Sequence, residues 1–226
     1  MTNRESMGSM SYDAVIVGGG LGGSVLAEQL ARAGHRVLVL EREAQFKDRV
    51  RGENFMSWGV AAARRLGIYD DLVNAGGHVA PNWILYLMGQ PTRVRDLCAT
   101  TPGGDPMLNI SHRRMQEAMI ARAVAAGAIV RRGATVLALD AAAGRAPVVT
   151  YDVDGERRTA SARIVVGADG RASNVRTWAG FDVVRSPEML RVSGMLIEGR
   201  GILSRGRIRG GSSIMARRRA VDRPAC

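Results

Sequence analysis

The chain has 226 residues, a length that favours one domain or one and a half and suffices to bury a real core. Hydrophobic residues make up 46% and aromatics 4%, which argues for an α/β protein and against a β-sandwich or a protein built on base stacking. The net charge of +11 suggests nucleic acid until it is located: residues 201–226 hold seven arginines and one acid, so six of the eleven charges lie in that end segment. Lys47 is the only lysine, so the arginine bias says little about phosphate recognition. No stretch offers the roughly 18 apolar residues of a membrane span. Glycines sit where a signal peptide would need its apolar core. Cys98 and Cys226 form no CxxC pair and suggest no disulfide framework, so a reducing cytoplasm is the expected compartment.

Residues 1–11 are polar and expected to fray. Tyr12 to Val17 is an apolar run ending in glycine, the pattern of a buried parallel strand. Leu21 to Ala33 reads as a helix closed by Gly34. Arg36 to Leu40 is the next strand, ending at Glu41. This order of strand, glycine turn, helix and strand is one βαβ unit. Phe55 to Leu66 is helical by composition, stopped by Gly67. Asn82 to Met88 and Thr92 to Leu97 are strands able to pair. Ser111 is a good N-cap for a helix running to Ala126, with Gly127 ending it. Ala128 to Val130 and Ala134 to Leu139 read as strands. Pro147 to Val153 and Arg157 to Ala162 flank Asp154-Gly155, a hairpin signal. Arg163 to Val166 reads as another buried strand, and Ser173 to Trp178 as a short helix. After Gly199 no period of two or of 3.6 persists, and residues 200–226 are expected to be a disordered, Arg-rich tail.

Two motifs carry chemistry. Gly18-Gly19-Gly20-Leu21-Gly22-Gly23 fits G-x-G-x-x-G. Gly18 allows the tight turn, Gly20 lets the backbone approach a pyrophosphate, and Gly23 lets the helix pack close to the sheet. The helix N-terminus then presents free N–H groups and partial positive charge to the phosphates. A glycine fingerprint alone is weak, but here a strand precedes it, a helix follows, and the second strand ends in an acid. Glu41 is placed to accept hydrogen bonds from ribose hydroxyls and disfavours a 2′-phosphate. The second motif is Gly167-Ala168-Asp169-Gly170 at the end of a strand. Its glycines allow a sharp turn where α/β ligands bind. Asp169 either meets a ligand there or caps the next helix.

With these residues in view, the chain resembles the FAD-dependent monooxygenases of the aromatic-hydroxylase type, single-component flavoproteins. The resemblance rests on Ala14–Glu41, on Arg51-Gly52-Glu53 followed by Trp58 to Gly67, and on Val165 to Arg176, which is similar to the family's Asp-Gly motif. It covers Tyr12 to Gly199. It implies a Rossmann-like FAD-binding fold of the glutathione-reductase type over residues 12–199, with a partial substrate-side insertion. It implies FAD as cofactor, NADH or NADPH as transient electron donor, and hydroxylation of a small organic substrate. The cofactor contacts expected are Gly18, Gly20, Gly22, Gly23, Glu41, Arg42, Arg51, Glu53, Arg113, Asp169 and Gly170. No side chain stands out as an acid or base, and no HxxxH or CxxC pair suggests a metal.

The family's later Gly-Asp-Ala-Ala-His stretch is absent from this sequence, from which a truncated copy is the expectation, with its activity left open. Two alternatives stay open. One is a flavin-dependent reductase or halogenase-like oxidase on the same fold, although Trp58 and Trp83 lack the Trp-x-Trp-x-Ile-Pro setting of halogenases. The other is a non-catalytic fragment whose basic tail binds nucleic acid, against which the tail's lack of aromatic residues argues.

Overall fold

The computed structural model describes residues 10–48, 54–88, 90–184, 194–197 and 213–216. In chain order the elements are β1 (Met10–Val17), α1 (Leu21–Arg32), β2 (Val37–Glu41), β3 (Asn54–Phe55), α2 (Ser57–Arg65), α3 (Tyr69–Asn74), β4 (His78–Ala80), β5 (Asn82–Leu87), β6 (Gln90–Asp96) and α4 (Leu97–Thr100). They continue with β7 (Met107–Asn109), α5 (His112–Ala125), β8 (Ile129–Arg132), β9 (Thr135–Asp140), β10 (Val148–Val153), β11 (Glu156–Gly167), α6 (Asn174–Trp178), β12 (Gly194–Ile197) and β13 (Ser213–Ala216). The chain divides into two compact units, residues 1–47 with 116–185 and residues 48–115 with 186–226.

The first unit is built on a six-stranded sheet in the order β8-β2-β1-β11-β10-β9. β1 runs parallel to both β2 and β11, and β2 runs parallel to β8. The βαβ unit expected from the sequence is therefore present. Every residue of β2 is buried, as a parallel strand covered on both faces requires. Val37 and Val39 pack with Ile16, with Ala27 of α1 and with Ala123 of α5. On the other face Leu38 and Leu40 join Val149, Tyr151 and Val153. Each of the valine, leucine and isoleucine side chains contributes about 1.5–3 kcal/mol on burial.

The hairpin at Asp154-Gly155 forms, with both residues at positive φ (56° and 78°), as a two-residue type I′ turn demands. Its second leg does not stop at Ala162. β11 is one strand of 12 residues, antiparallel to β10 near the hairpin and parallel to β1 from Ala160 to Gly167. The separate buried strand expected at 163–166 is thus the far half of β11, and it is not buried: Ile164 is 55% exposed. With Leu139, Val175 and Phe181 it lines an open cavity of about 690 Å³.

The second unit holds the sheet β3-β7-β4 and the hairpin β5-β6. The helix expected from Phe55 begins at Ser57, because Asn54–Phe55 is drawn into a strand against Leu108–Asn109. β5 and β6 pair as expected, but every residue of both strands is exposed. Cys98, in α4, is disulfide-bonded, a departure from the absence of a disulfide framework that its spacing suggests. Its partner lies outside the described residues. Most of residues 200–226 also lies outside them. The described part, β13, pairs in parallel with β12, where the sequence suggests no regular structure. The register sets Ser213 to Ala216 beside Gly194 to Ile197.

Candidate cofactor site

The two motifs meet at the carboxyl ends of β1 and β11. The Gly18 N–H donates to the Leu40 carbonyl and the Ala168 N–H to the Val17 carbonyl, both at 2.8 Å. The glycines of the first motif divide into two kinds. Gly18 has φ +102°, and a Cβ there would stand 2.7 Å from the Ala168 carbonyl carbon. A Cβ at Gly23 would overlap the Gly18 carbonyl oxygen and lie 3.2 Å from Ala168 Cβ. The fold itself requires these two glycines. A Cβ at Gly20 or Gly22 would meet nothing within 4 Å. Packing among the described residues calls for neither of them, which leaves their backbone open there to a close-lying ligand. Gly20 is the N-cap of α1 and makes no side-chain capping bond, and the first turn carries no acid. That end of the helix is suited to an anion.

Glu41, the last residue of β2, is nearly buried at 8% exposure. Its Oε2 accepts the Gly19 N–H at 2.6 Å and its Oε1 the Glu43 N–H at 2.8 Å. Each carboxylate oxygen has a second lone pair for a ribose hydroxyl. Ser24, which the sequence did not single out, locks the turn from below by donating its hydroxyl to the Gly19 carbonyl at 2.8 Å.

The two oxygens of Asp169 differ in their surroundings. Oδ2 accepts the N–H groups of Asn174 and Val175 at 2.8 and 3.3 Å, so it does hold the start of α6. Oδ1 is buried and has no hydrogen-bond partner among the described residues. A buried, unmatched carboxylate oxygen is costly unless something else meets it. Gly170 has φ +89° and turns the chain back toward α6. Arg42 is mostly exposed, 3.9 Å from Glu43. Arg113 is exposed on the first turn of α5 and belongs to the second unit. Arg51 and Glu53 lie outside the described residues.

Behind the turn, Glu28 of α1 is fully buried and bound by Arg122 of α5 (Nε to Oε2, 3.0 Å) and by Arg32 (Nε to Oε1, 2.8 Å). Burial pushes its carboxyl up, but the two guanidinium groups outweigh this and hold it below the usual carboxylate range. Nothing in the spacing of Glu28 and Arg122 marks them as partners, since 94 residues separate them.

A glycine turn stripped of side chains, an uncapped helix end, a strand-terminal acid and a free carboxylate oxygen fit a dinucleotide. The FAD binding domain family matches residues 11–202. The chain belongs to that family. As a FAD-binding domain it is similar to squalene epoxidase 5 of Arabidopsis thaliana, 31% identical over 172 residues, covering 73% of this chain and 32% of that protein. Among solved structures it superposes on the OxyS anhydrotetracycline hydroxylase of Streptomyces rimosus with TM-score 0.65 and 29% identity, over 76% of this chain and 34% of the other. A ternary complex of aklavinone-11 hydroxylase with FAD and aklavinone matches with TM-score 0.61 and 26% identity, over 80% of this chain and 36% of the other. The chain spans about a third or less of the length of the curated relatives it matches.

Proposed function

We propose that this chain holds FAD for an NAD(P)H-dependent monooxygenase acting on a small organic substrate. The observation that carries the reading is the open space at Gly20, a glycine that the protein's own packing does not call for, at the start of α1. Bound FAD supplies the capacity to accept a hydride and then to react with oxygen, chemistry that belongs to the cofactor. The chain's residues bind and orient it. Gly20 admits a phosphate oxygen to the backbone, and the N-terminus of α1 offsets its charge. Glu41 takes the ribose hydroxyls with the lone pairs that Gly19 and Glu43 leave free. Its negative charge disfavours a 2′-phosphate at the same place. Asp169 Oδ1 accepts a hydroxyl or N–H from the bound molecule. Relatives named for epoxidation of squalene and hydroxylation of anhydrotetracycline support an organic substrate and insertion of oxygen.

The test is the absorbance spectrum of the purified chain after FAD is added and the excess removed. A retained, shifted flavin spectrum is the expected result, followed by NAD(P)H oxidation that depends on the flavin. A chain that elutes folded and colourless would overturn the reading.

A further inference from the structure

Arg132, outside both motifs, ends β8 and is the register partner of Glu41 at the end of β2. Parallel sheets present their ligands at this end. The Arg132 guanidinium makes a two-pronged pair with Glu117 of α5, Nη1 to Oε1 at 3.0 Å and Nη2 to Oε2 at 2.6 Å. It also lies 5.0 Å from the ring centroid of Phe46, a buried residue in the segment after β2. Glu117's hydrogen bonds raise the Arg132 pKa, with a smaller contribution from the charge of Glu41. One turn along α5 from Glu117, Ile120 reaches the glycine turn: a Cβ on Gly19 would lie 2.9 Å from Ile120 Cδ1 and 3.1 Å from Glu41 Cβ. From the strand position beside Glu41, Arg132 therefore touches both α5, through Glu117, and the segment after β2, through Phe46.

The pair is partly solvated, with side chains 28% and 41% exposed, and such pairs add little stability. What a two-pronged guanidinium–carboxylate contact does add is a fixed orientation, which a lysine in its place does not give.

We propose that Arg132 is a positioning residue for the adenosine end of the cofactor. Through Glu117 and Phe46 it fixes the segment around Glu41, so that one carboxylate oxygen keeps the Gly19 N–H while the carboxylate still meets the ribose hydroxyls. This rests on the FAD reading of the site.

The experiment is titration of the whole chain with FAD, and with FMN as a probe that lacks the adenosine. Wild type is compared with Arg132→Met, Glu117→Gln, Glu41→Gln and the Arg132→Met/Glu41→Gln double variant, each with a thermal melt. Arg132→Met is expected to weaken FAD binding roughly tenfold, the scale of one coupled interaction. Glu117→Gln is expected to act in the same direction. FMN affinity and melting temperature should change little, and Arg132→Met should add little in the Glu41→Gln background. Unchanged FAD affinity in both Arg132→Met and Glu117→Gln overturns the proposal. So does an equal loss for FAD and FMN, or full additivity with Glu41→Gln. If Arg132→Met does not fold, Glu117→Gln decides alone. Wild type that binds no FAD defeats the functional reading, and this inference with it. Wild type that binds FAD beside unaffected variants defeats the positioning role only.

Discussion

Replacing Gly20 and Gly23 with alanine, one at a time, separates what the glycine turn does for the fold from what it does for a ligand. Gly20 has φ −67° and ψ −176°, extended backbone that any residue adopts, and its new Cβ would meet nothing within 4 Å. Loss of glycine freedom in the unfolded chain favours the variant by about 0.4–1 kcal/mol. Alanine is a poorer N-cap than glycine, which offsets that gain. Gly20→Ala should therefore melt within about 1 kcal/mol of wild type. Gly23 lies inside α1, where alanine gains up to about 1 kcal/mol of helix propensity. That gain is overwhelmed, because the methyl would overlap the Gly18 carbonyl oxygen and crowd Ala168 Cβ at 3.2 Å. Both neighbours belong to the packed turn rather than to a flexible side-chain end, so overpacking of about 3 kcal/mol is expected. At roughly 2–4 °C per kcal/mol for a chain of this size, the melting temperature should fall by about 6–12 °C. FAD affinity should show the reverse order of interest. A methyl at Gly20 pushes the phosphate away from the helix end and loses a charge-assisted hydrogen bond of about 1.5–3 kcal/mol, so binding should weaken about tenfold to a hundredfold. Thermal melts and FAD titrations read the two effects separately. Wild-type FAD affinity in Gly20→Ala, or a wild-type melt in Gly23→Ala, would refute the reasoning.

Glu28→Gln leaves Arg122 facing a neutral group and should cost about 2–3 kcal/mol in chemical denaturation, below the full buried-pair figure because Arg122 keeps 17% exposure. The pH dependence has a fixed sign. The folded Glu28 carboxyl titrates below its ordinary 4.5, so its contribution is complete above pH 4.5 and fades as pH falls through the lower folded value. The stability gap between wild type and Glu28→Gln should therefore narrow in denaturation series taken below pH 4.5, and a constant gap would contradict the assignment. Asp169→Asn keeps an acceptor for the Asn174 and Val175 N–H groups and should fold like wild type while binding FAD more weakly. Asp169→Ala loses that acceptor as well and should melt lower by about 1 kcal/mol.

The βαβ unit was legible because its signals agree at every level. The apolar run of β1 ends in glycine, the helix has the right length, and the second strand ends in an acid. The Asp154-Gly155 hairpin was equally plain, since only a few residues accept positive φ twice in succession. β11 was misread in an instructive way. Its second half was expected to be buried because Arg163 to Val166 is largely apolar, yet burial depends on what covers a strand, and Ile164 lines an open cavity. The small elements β3, β4 and β7 were invisible because two or three residues carry no period. Pairs such as Glu28 with Arg122 and Glu117 with Arg132 are tertiary facts. A charged residue on a helix looks the same whether it faces water or a partner from elsewhere in the chain.

The site shows the same limit at the scale of single atoms. Sequence assigns the turn to Gly18, the approach of a ligand to Gly20 and the helix packing to Gly23, and what it does not show is the atoms an added Cβ would meet: Ala168 at Gly18, the Gly18 carbonyl at Gly23, and no described atom within 4 Å at Gly20. Asp169 likewise posed a choice between helix cap and ligand contact. The structure shows the cap, and because a carboxylate has two oxygens the cap does not use them both. Oδ2 is used by the N–H groups at the start of α6, and Oδ1 has no hydrogen-bond partner among the described residues. The cap fixes the carboxylate's orientation, and on the proposed FAD reading that orientation favours a contact to the remaining oxygen: a group already held in place loses little further freedom on binding. Structural and functional readings of such a residue are then not competitors, and a variant that keeps the cap while altering the free oxygen, Asp169→Asn, tests the second without disturbing the first.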